Sequence, residues 1–288
     1  MGPATVQRYE TSLKHTRDFV WETYHKKDVL LDEVSRQFIE DYEFWLKTEK
    51  KCCHNTATKY LKNFKKIIRI ALAKGWMKND PFLEIRFSLD KVEPDFLEDS
   101  EIQKLISKEI DIPRLSQVRD IFVFCCFTGL AFSDIHGLRK EHIVEDSNGV
   151  RWIRKGRQKT KIMCNIPLME IPLKILEKYS TNEYCKKHGV LFPVLCNQKM
   201  NAYLKELADI CGIKKTLTTH TARHTFATFA LANGVSIESV AKMLGHTNVQ
   251  MTRHYARVLD RTVIREMSQI KMDFHFPFNK DDSSVIVE

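Results

Sequence analysis

Apolar residues in the first third of the chain recur three and four positions apart. Phe38, Tyr42, Trp45 and Leu46 form one stripe; Leu61, Phe64, Ile67, Ile68, Ala71 and Leu72 form another. Both have the period of an amphipathic helix. A further helix is expected ahead of them, capped by Ser12 and running through Phe19 and Val20 to about Tyr24. The third helix should start near Asn55 and stop at Gly75, with Asn79-Asp80-Pro81 closing the helical pattern. Residues 86–98 have no periodicity and contain Pro94, which reads as a linker between domains.

A new helical pattern begins near Asp99-Ser100 and carries Ile102, Leu105 and Ile106. Residues 117–127 have the apolar content of a buried helix and end at Thr128-Gly129; residues 130–134 start another helix. The period then changes to two. His142-Ile143-Val144 and Val150 to Ile153 flank Ser147-Asn148-Gly149, a hairpin signal, and residues 162–166 read as a third strand ending at Pro167-Leu168. Helices are expected over 172–179 and 200–211. A last helical run follows, with Phe226, Phe229, Ala230, Ile237, Val240 and Met243 as core. After Tyr255 come an amphipathic segment, 258–267, and an aromatic tail with Phe274, Phe276, Pro277 and Phe278. The expected fold is mainly α: a helical domain over 1–90, a linker over 91–98, a mixed α/β domain with a small antiparallel sheet over 99–272, and a tail over 273–288.

Charge sharpens this outline. The chain has 288 residues, a net charge of +9 and a pI near 9.0, which suits a polyanionic partner. Between Lys47 and Lys78 there are ten basic residues and one acidic residue, Glu49. Lys59, Lys62, Lys65, Lys66 and Arg69 lie between the apolar positions of the third helix, as phosphate contacts along a DNA duplex would. The eight cysteines are scattered without a C-x-x-C, which argues against a zinc site and for a reducing compartment. The longest apolar run, 121–127, is too short to span a bilayer. Met1-Gly2-Pro3 reads as an artificial start, so the natural protein is expected to be longer at this end, and an arm-binding domain could precede it.

The chemistry concentrates in residues 219–255. His220 and Arg223 are three apart, on one face of a helix. His246 follows Leu244-Gly245, where glycine permits a sharp turn, and Tyr255 comes nine residues later. These groups suit attack on a phosphodiester: Arg223 as a fork of donors, the histidines as donors or proton carriers, and Tyr255 as nucleophile. The set H-x-x-R-H, L-G-H and the following tyrosine resembles the tyrosine recombinases, or phage-type integrases, including those of mobile elements.

That resemblance implies more. The family places a helical core-binding domain ahead of its catalytic domain. Residues 128–134 resemble its T-G-L-R-x-S-E box, but the first catalytic arginine falls on Ala131, which cannot bind phosphate; Asp134 keeps the supportive acidic position. Another cation is then needed, with Arg119 the first candidate and Arg139 the second. The family's catalytic lysine lies eight residues before the proline of the closing I-P-L, at Lys159, where it would protonate the leaving 5′-oxygen. Lys155 and Lys161 would be phosphate contacts or solvated charges. The implied activity is site-specific recombination of double-stranded DNA through a 3′-phosphotyrosine, with no cofactor and no metal. A homotetramer exchanging C-terminal tails is implied, with accessory DNA-bending proteins as further partners and the bacterial cytoplasm and nucleoid as location. A type IB topoisomerase and a non-catalytic DNA-binding regulator remain as alternatives, separable by a relaxation assay without paired sites.

Overall fold

Pro3 starts the first helix, because its fixed φ and missing N–H suit the first helical position. In this computed structural model, which describes residues 2–256, α1 runs over Pro3–Tyr24. Ser12 therefore does not cap it. The side chain is buried inside the helix, and its carbonyl accepts a hydrogen bond from Thr16. Helix α2 (Arg36–Thr48) is capped by Ser35, whose Oγ accepts from the Phe38 amide. Helix α3 (His54–Ala73) covers the expected span. Phe19, Phe38, Tyr42, Trp45, Leu46, Leu61 and Ile68 are buried together as the core of this unit, whereas Ile67 is exposed.

The chain divides into two compact units, Met1–Glu93 and Pro94–Glu288. The division falls inside the expected linker. Residues 86–98 have no helix or strand, yet they are tied down at both ends. Asn55 bonds both the amide and the carbonyl of Asp90. Leu97 is buried in the second unit, and its amide donates to Thr225 Oγ1 at 2.9 Å.

The second unit is built around α5 (Pro113–Thr128), which is buried along nearly its whole length. Against it pack α4 (Asp99–Ser107), α7 (Glu170–Tyr179), α9 (Asn197–Ile210) and α10 (Thr219–Ala232). Short helix α6 (Phe132–His136) follows α5 after the turn at Gly129. The sheet is antiparallel in the order β1 (Ile143–Glu145), β2 (Arg151–Gly156) and β3 (Met163–Pro167). Ile153 pairs with Ile143 on one side and Ile166 on the other, and Ile153, Cys164 and Ile166 are buried. The Asn148-Gly149 turn is held by Asp146, which accepts from the amides of Asn148 and Val150 and from the Trp152 indole. Helix α8 (Glu183–His188) was not expected from sequence; six residues show too little period to reveal it. Helices α11 (Ile237–Leu244) and α12 (Gln250–Ala256) complete the described chain. Of the expected core residues here, Phe226, Ala230 and Val240 are buried, while Phe229, Ile237 and Met243 are half-buried. The segment 258–267 and the aromatic tail lie outside the described residues. No helix among the described residues is long and apolar enough to cross a membrane.

Candidate active site

Three helix ends meet at Arg223. Thr218 caps α10 by accepting from the Thr221 amide, which sets His220, Arg223 and His224 in the first two turns. Arg223 is buried. Its Nη1 donates to the Gly129 carbonyl at 2.6 Å and its Nη2 to the Leu244 carbonyl at 2.5 Å. One guanidinium thus joins the C-terminus of α5 to that of α11. Glycine is required at both ends. Gly129 and Gly245 sit at φ +66° and +59°, and a Cβ on Gly129 would lie 2.4 Å from the Phe226 ring.

Tyr255, on α12, is buried among Phe226, Ala227, Val240 and Leu244. Its hydroxyl lies 3.0 Å from His224 Nδ1. The His220 ring meets His224 edge-on at 4.3 Å. His246 follows the Gly245 turn, and its Nδ1 is 2.8 Å from the hydroxyl of the fully buried Thr252. Nε2 is therefore the ring nitrogen left for a ligand.

The turn joining β2 and β3 reaches the same place. Arg157 donates through Nε to Asp134 Oδ2 and through Nη1 to the Leu244 carbonyl, each at 3.3 Å. The Gln158 amide donates to Asp134 Oδ1, and Thr160 Oγ1 reaches the Gly245 carbonyl at 3.5 Å. Lys159 is exposed at the tip.

Positive charge crowds this site, and the titrating groups register it. Burial, then Arg223 and Arg157, push His246 down to about 4. Burial, then His220, Arg223 and His254, push His224 down to about 4. His220 is lowered by burial, then by Arg223, Arg157 and Lys159. Arg223 itself falls to about 10, through burial and then the neighbouring Arg157. Burial raises Tyr255, against the opposing pull of Arg223 and Arg157. A bound anion would relieve this mutual repulsion.

The structure thus brings Tyr255, Arg223, His220 and His246 together, with Lys159 close enough to act on His220. It does not bring Arg119 to them. Arg119 binds Asp120, Ser116 and the Lys108 carbonyl, and Asp120 also holds Lys178 and Tyr179. It sits ten residues before Gly129 on an unbroken helix, ~15 Å along the axis. Arg139 is exposed beside His142. Lys155 is turned inward: its ammonium donates to the Gly137 carbonyl at 2.8 Å and lies 3.3 Å from His142. Lys161 is exposed in the turn at φ +61°.

Two residues were missed. His224 lies one helical turn beyond His220, a spacing that could have flagged it. Arg157 was hidden among Arg154, Lys155, Lys159 and Lys161. Strand alternation from buried Ile153 excludes only Arg154, because Lys155, Lys159 and Lys161 have the same parity as Arg157, so no local pattern picks it out. Among the described residues no three His, Cys, Asp or Glu side chains converge as a metal site.

On α3, Lys59, Lys62, Lys66 and Arg69 are exposed and fall within one stripe of the helix. Lys65 is held differently. Its ammonium donates to the Phe82 carbonyl at 3.2 Å and lies over the Phe82 and Phe87 rings.

The profile of the phage integrase family matches residues 95–262, and that of the phage integrase SAM-like domain matches residues 2–89. A tyrosine recombinase of Pseudothermotoga lettingae is 30% identical over 265 residues, covering 89% of this chain and 88% of that protein. The fold is similar to a lambda integrase dimer bound to a COC′ core site, with a TM-score of 0.72 and 18% identity over 88% of this chain and 89% of that one. It is also similar to the Tn1549 transposon integrase in complex with a circular intermediate DNA, with a TM-score of 0.69 and 18% identity over 94% and 95% of the two chains. Both family profiles, the relative and the site geometry agree: the chain belongs to the phage integrase family, the tyrosine recombinases.

Proposed function

We propose that Tyr255 is the nucleophile of a site-specific DNA recombinase of the mobile-element integrase type. Cutting and rejoining DNA through a covalent tyrosine intermediate is the family's reaction and this chain's activity. The observation that carries the assignment of residues is the Tyr255 hydroxyl on His224 beside the buried Arg223. Tyr255 attacks phosphorus, the P–O5′ bond breaks, and the 3′-phosphate stays on the tyrosine. His224, neutral at pH 7, takes the tyrosine proton in the tautomer whose Nδ1 is unprotonated. Lys159 supplies a proton to the leaving 5′-oxygen. Arg223, with donors to spare beyond its two carbonyl contacts, and His246 through Nε2 hold the non-bridging oxygens. The 5′-hydroxyl of a partner strand then reverses the step, so the bond energy is kept and no cofactor is consumed.

The substrate is double-stranded DNA, as in the complexes of lambda integrase and the Tn1549 integrase. Lys59, Lys62, Lys66 and Arg69 of α3 contact its phosphates, with Lys161 on the hairpin. Four protomers assemble on paired sites within the bacterial nucleoid, with accessory DNA-bending proteins. The protomers are joined by exchange of their C-terminal tails.

The test starts from duplexes selected from a random-sequence pool by covalent retention on the protein. The intact chain should give a covalent protein–DNA band and exchange strands between paired sites. Tyr255→Phe should bind duplex but give no band. A chain ending at residue 272 should keep the band and lose exchange. A band that survives Tyr255→Phe removes the nucleophile assignment, and exchange by the shortened chain removes the tail's role.

A further inference from the structure

Position 131 leaves a gap in the site. Ala131 caps α6 with a methyl group, and a phosphoryl-transfer transition state spreads charge over two non-bridging oxygens that a single guanidinium covers incompletely. The gap is met from another element. Arg157 and Arg223 both donate to the Leu244 carbonyl, so their guanidinium groups lie side by side. Asp134, three residues after Ala131 in the same short helix, is buried and accepts from Arg157 and from the next amide of the hairpin. The hairpin is thereby fastened to the helix that lacks the arginine. The Gly245 turn makes room for this side chain: a Cβ there would lie 2.6 Å from Arg157 Cδ and 2.7 Å from Cys164 Sγ.

We propose that Arg157 is the second phosphate-clamping arginine of this active site, reaching in from the β2–β3 hairpin to the oxygen that a side chain at position 131 would otherwise hold. The proposal rests on the recombinase reading above. Its charge balance fits. Two guanidinium groups against the Asp134 carboxylate leave one net positive charge for the phosphodiester, apart from the Lys159 ammonium, whose proton goes to the leaving oxygen. Two of Arg157's five N–H donors go to Asp134 and Leu244, and the others remain for substrate. Arg157 is also near enough to pull down His220, His246 and Arg223 and to oppose the rise that burial gives Tyr255. It exchanges no proton. Its task is to stabilise the oxygens while the Tyr255–phosphorus bond forms and the P–O5′ bond breaks.

The experiment compares two nicked duplexes of the selected site. One carries the ordinary scissile phosphodiester. The other carries a methylphosphonate, in the stereoisomer that replaces the oxygen facing Arg157. Arg157→Ala should slow covalent attachment on the ordinary duplex by ~10²–10³-fold, the range for loss of one preorganised donor, with duplex affinity nearly unchanged. On the methylphosphonate the deficit should shrink to ~10-fold or less, because the charge that Arg157 answers is gone. Arg157→Lys keeps an ion pair for Asp134 but cannot fork; it serves as the test if Arg157→Ala does not fold, and should show the same pattern. Wild-type rates in the variants would overturn the proposal. So would an equal deficit on both duplexes, which marks a structural role. A folded wild-type chain inert on both would instead sink the recombinase reading, and the role of Arg157 with it.

Discussion

In the proposed reaction the proton that leaves Tyr255 is met by His224, 3.0 Å from its hydroxyl and outside the set that the motif spacing suggests. Tyr255, Arg223, His220 and His246 could be read from sequence because each sits at a fixed offset within one short stretch. His224 was in plain view beside Arg223, but its contact depends on where α12 returns, and no local pattern gives that. Arg157 was harder still, because its role depends on Ala131 and Asp134 at one short helix and on Leu244 at the end of another, both far from it in sequence. The proton path has a consequence in pH. His224 is held at about 4, so it stays a competent acceptor down to that value and the cleavage rate should be nearly flat above about pH 6. In His224→Gln the attack must wait for ionisation of Tyr255, whose pKa burial raises. Its rate should fall and then climb about tenfold per pH unit toward the tyrosine pKa. Single-turnover rates across that range decide the matter; a flat profile in the variant would leave His224 only a positioning role.

At the scale of elements, the turns carry the precision. The longer helices of both units follow from apolar periodicity, and their ends shift where capping competes. Pro3 overrides Ser12 as a start signal, and Ser35 caps α2. The Gly245 turn shows what a single position can govern. Its left-handed backbone lets α11 end with the Leu244 carbonyl aimed at two arginines, and its missing side chain lets Arg157 pass. Gly245→Ala should therefore do two things. The left-handed backbone should cost ~1–2 kcal/mol of stability, and the new methyl should push Arg157 aside, lowering covalent attachment by more than ~10-fold. Chemical denaturation and cleavage rates measured on the same sample separate the two. Unchanged cleavage with reduced stability would show that Arg157 tolerates displacement.

At the scale of the molecule, the proposed phosphate contacts on α3 and the proposed chemistry fall in different units. The basic imbalance of the first was visible in composition, but which cations remain available was not. Lys65 is half-buried and taken up by the Phe82 carbonyl, while Lys59, Lys62, Lys66 and Arg69 stay exposed, although Lys62 and Lys66 also lie over the Phe87 and Tyr9 rings. Neutralising those four should weaken binding to every duplex and flatten the slope of log affinity against log salt by ~0.9 for each phosphate that is no longer neutralised. Lys65→Gln should leave the slope nearly intact and lower stability instead. Binding titrations at several salt concentrations test this. An unchanged slope for the fourfold variant would turn that helix face away from DNA.

An arginine rooted in a helix cap is always present. One carried on a hairpin is present only while the hairpin is seated. In this chain the same turn bears Arg157 and, two residues on, Lys159, and it is pinned at Asp134, Leu244 and Gly245. Lifting that turn would withdraw the clamp and the acid in one movement. A protomer would then be either armed or silent, with little in between. If Arg157 clamps the phosphate as proposed, carrying it on the hairpin instead of the scaffold turns a fixed part of the catalyst into one that can be withdrawn.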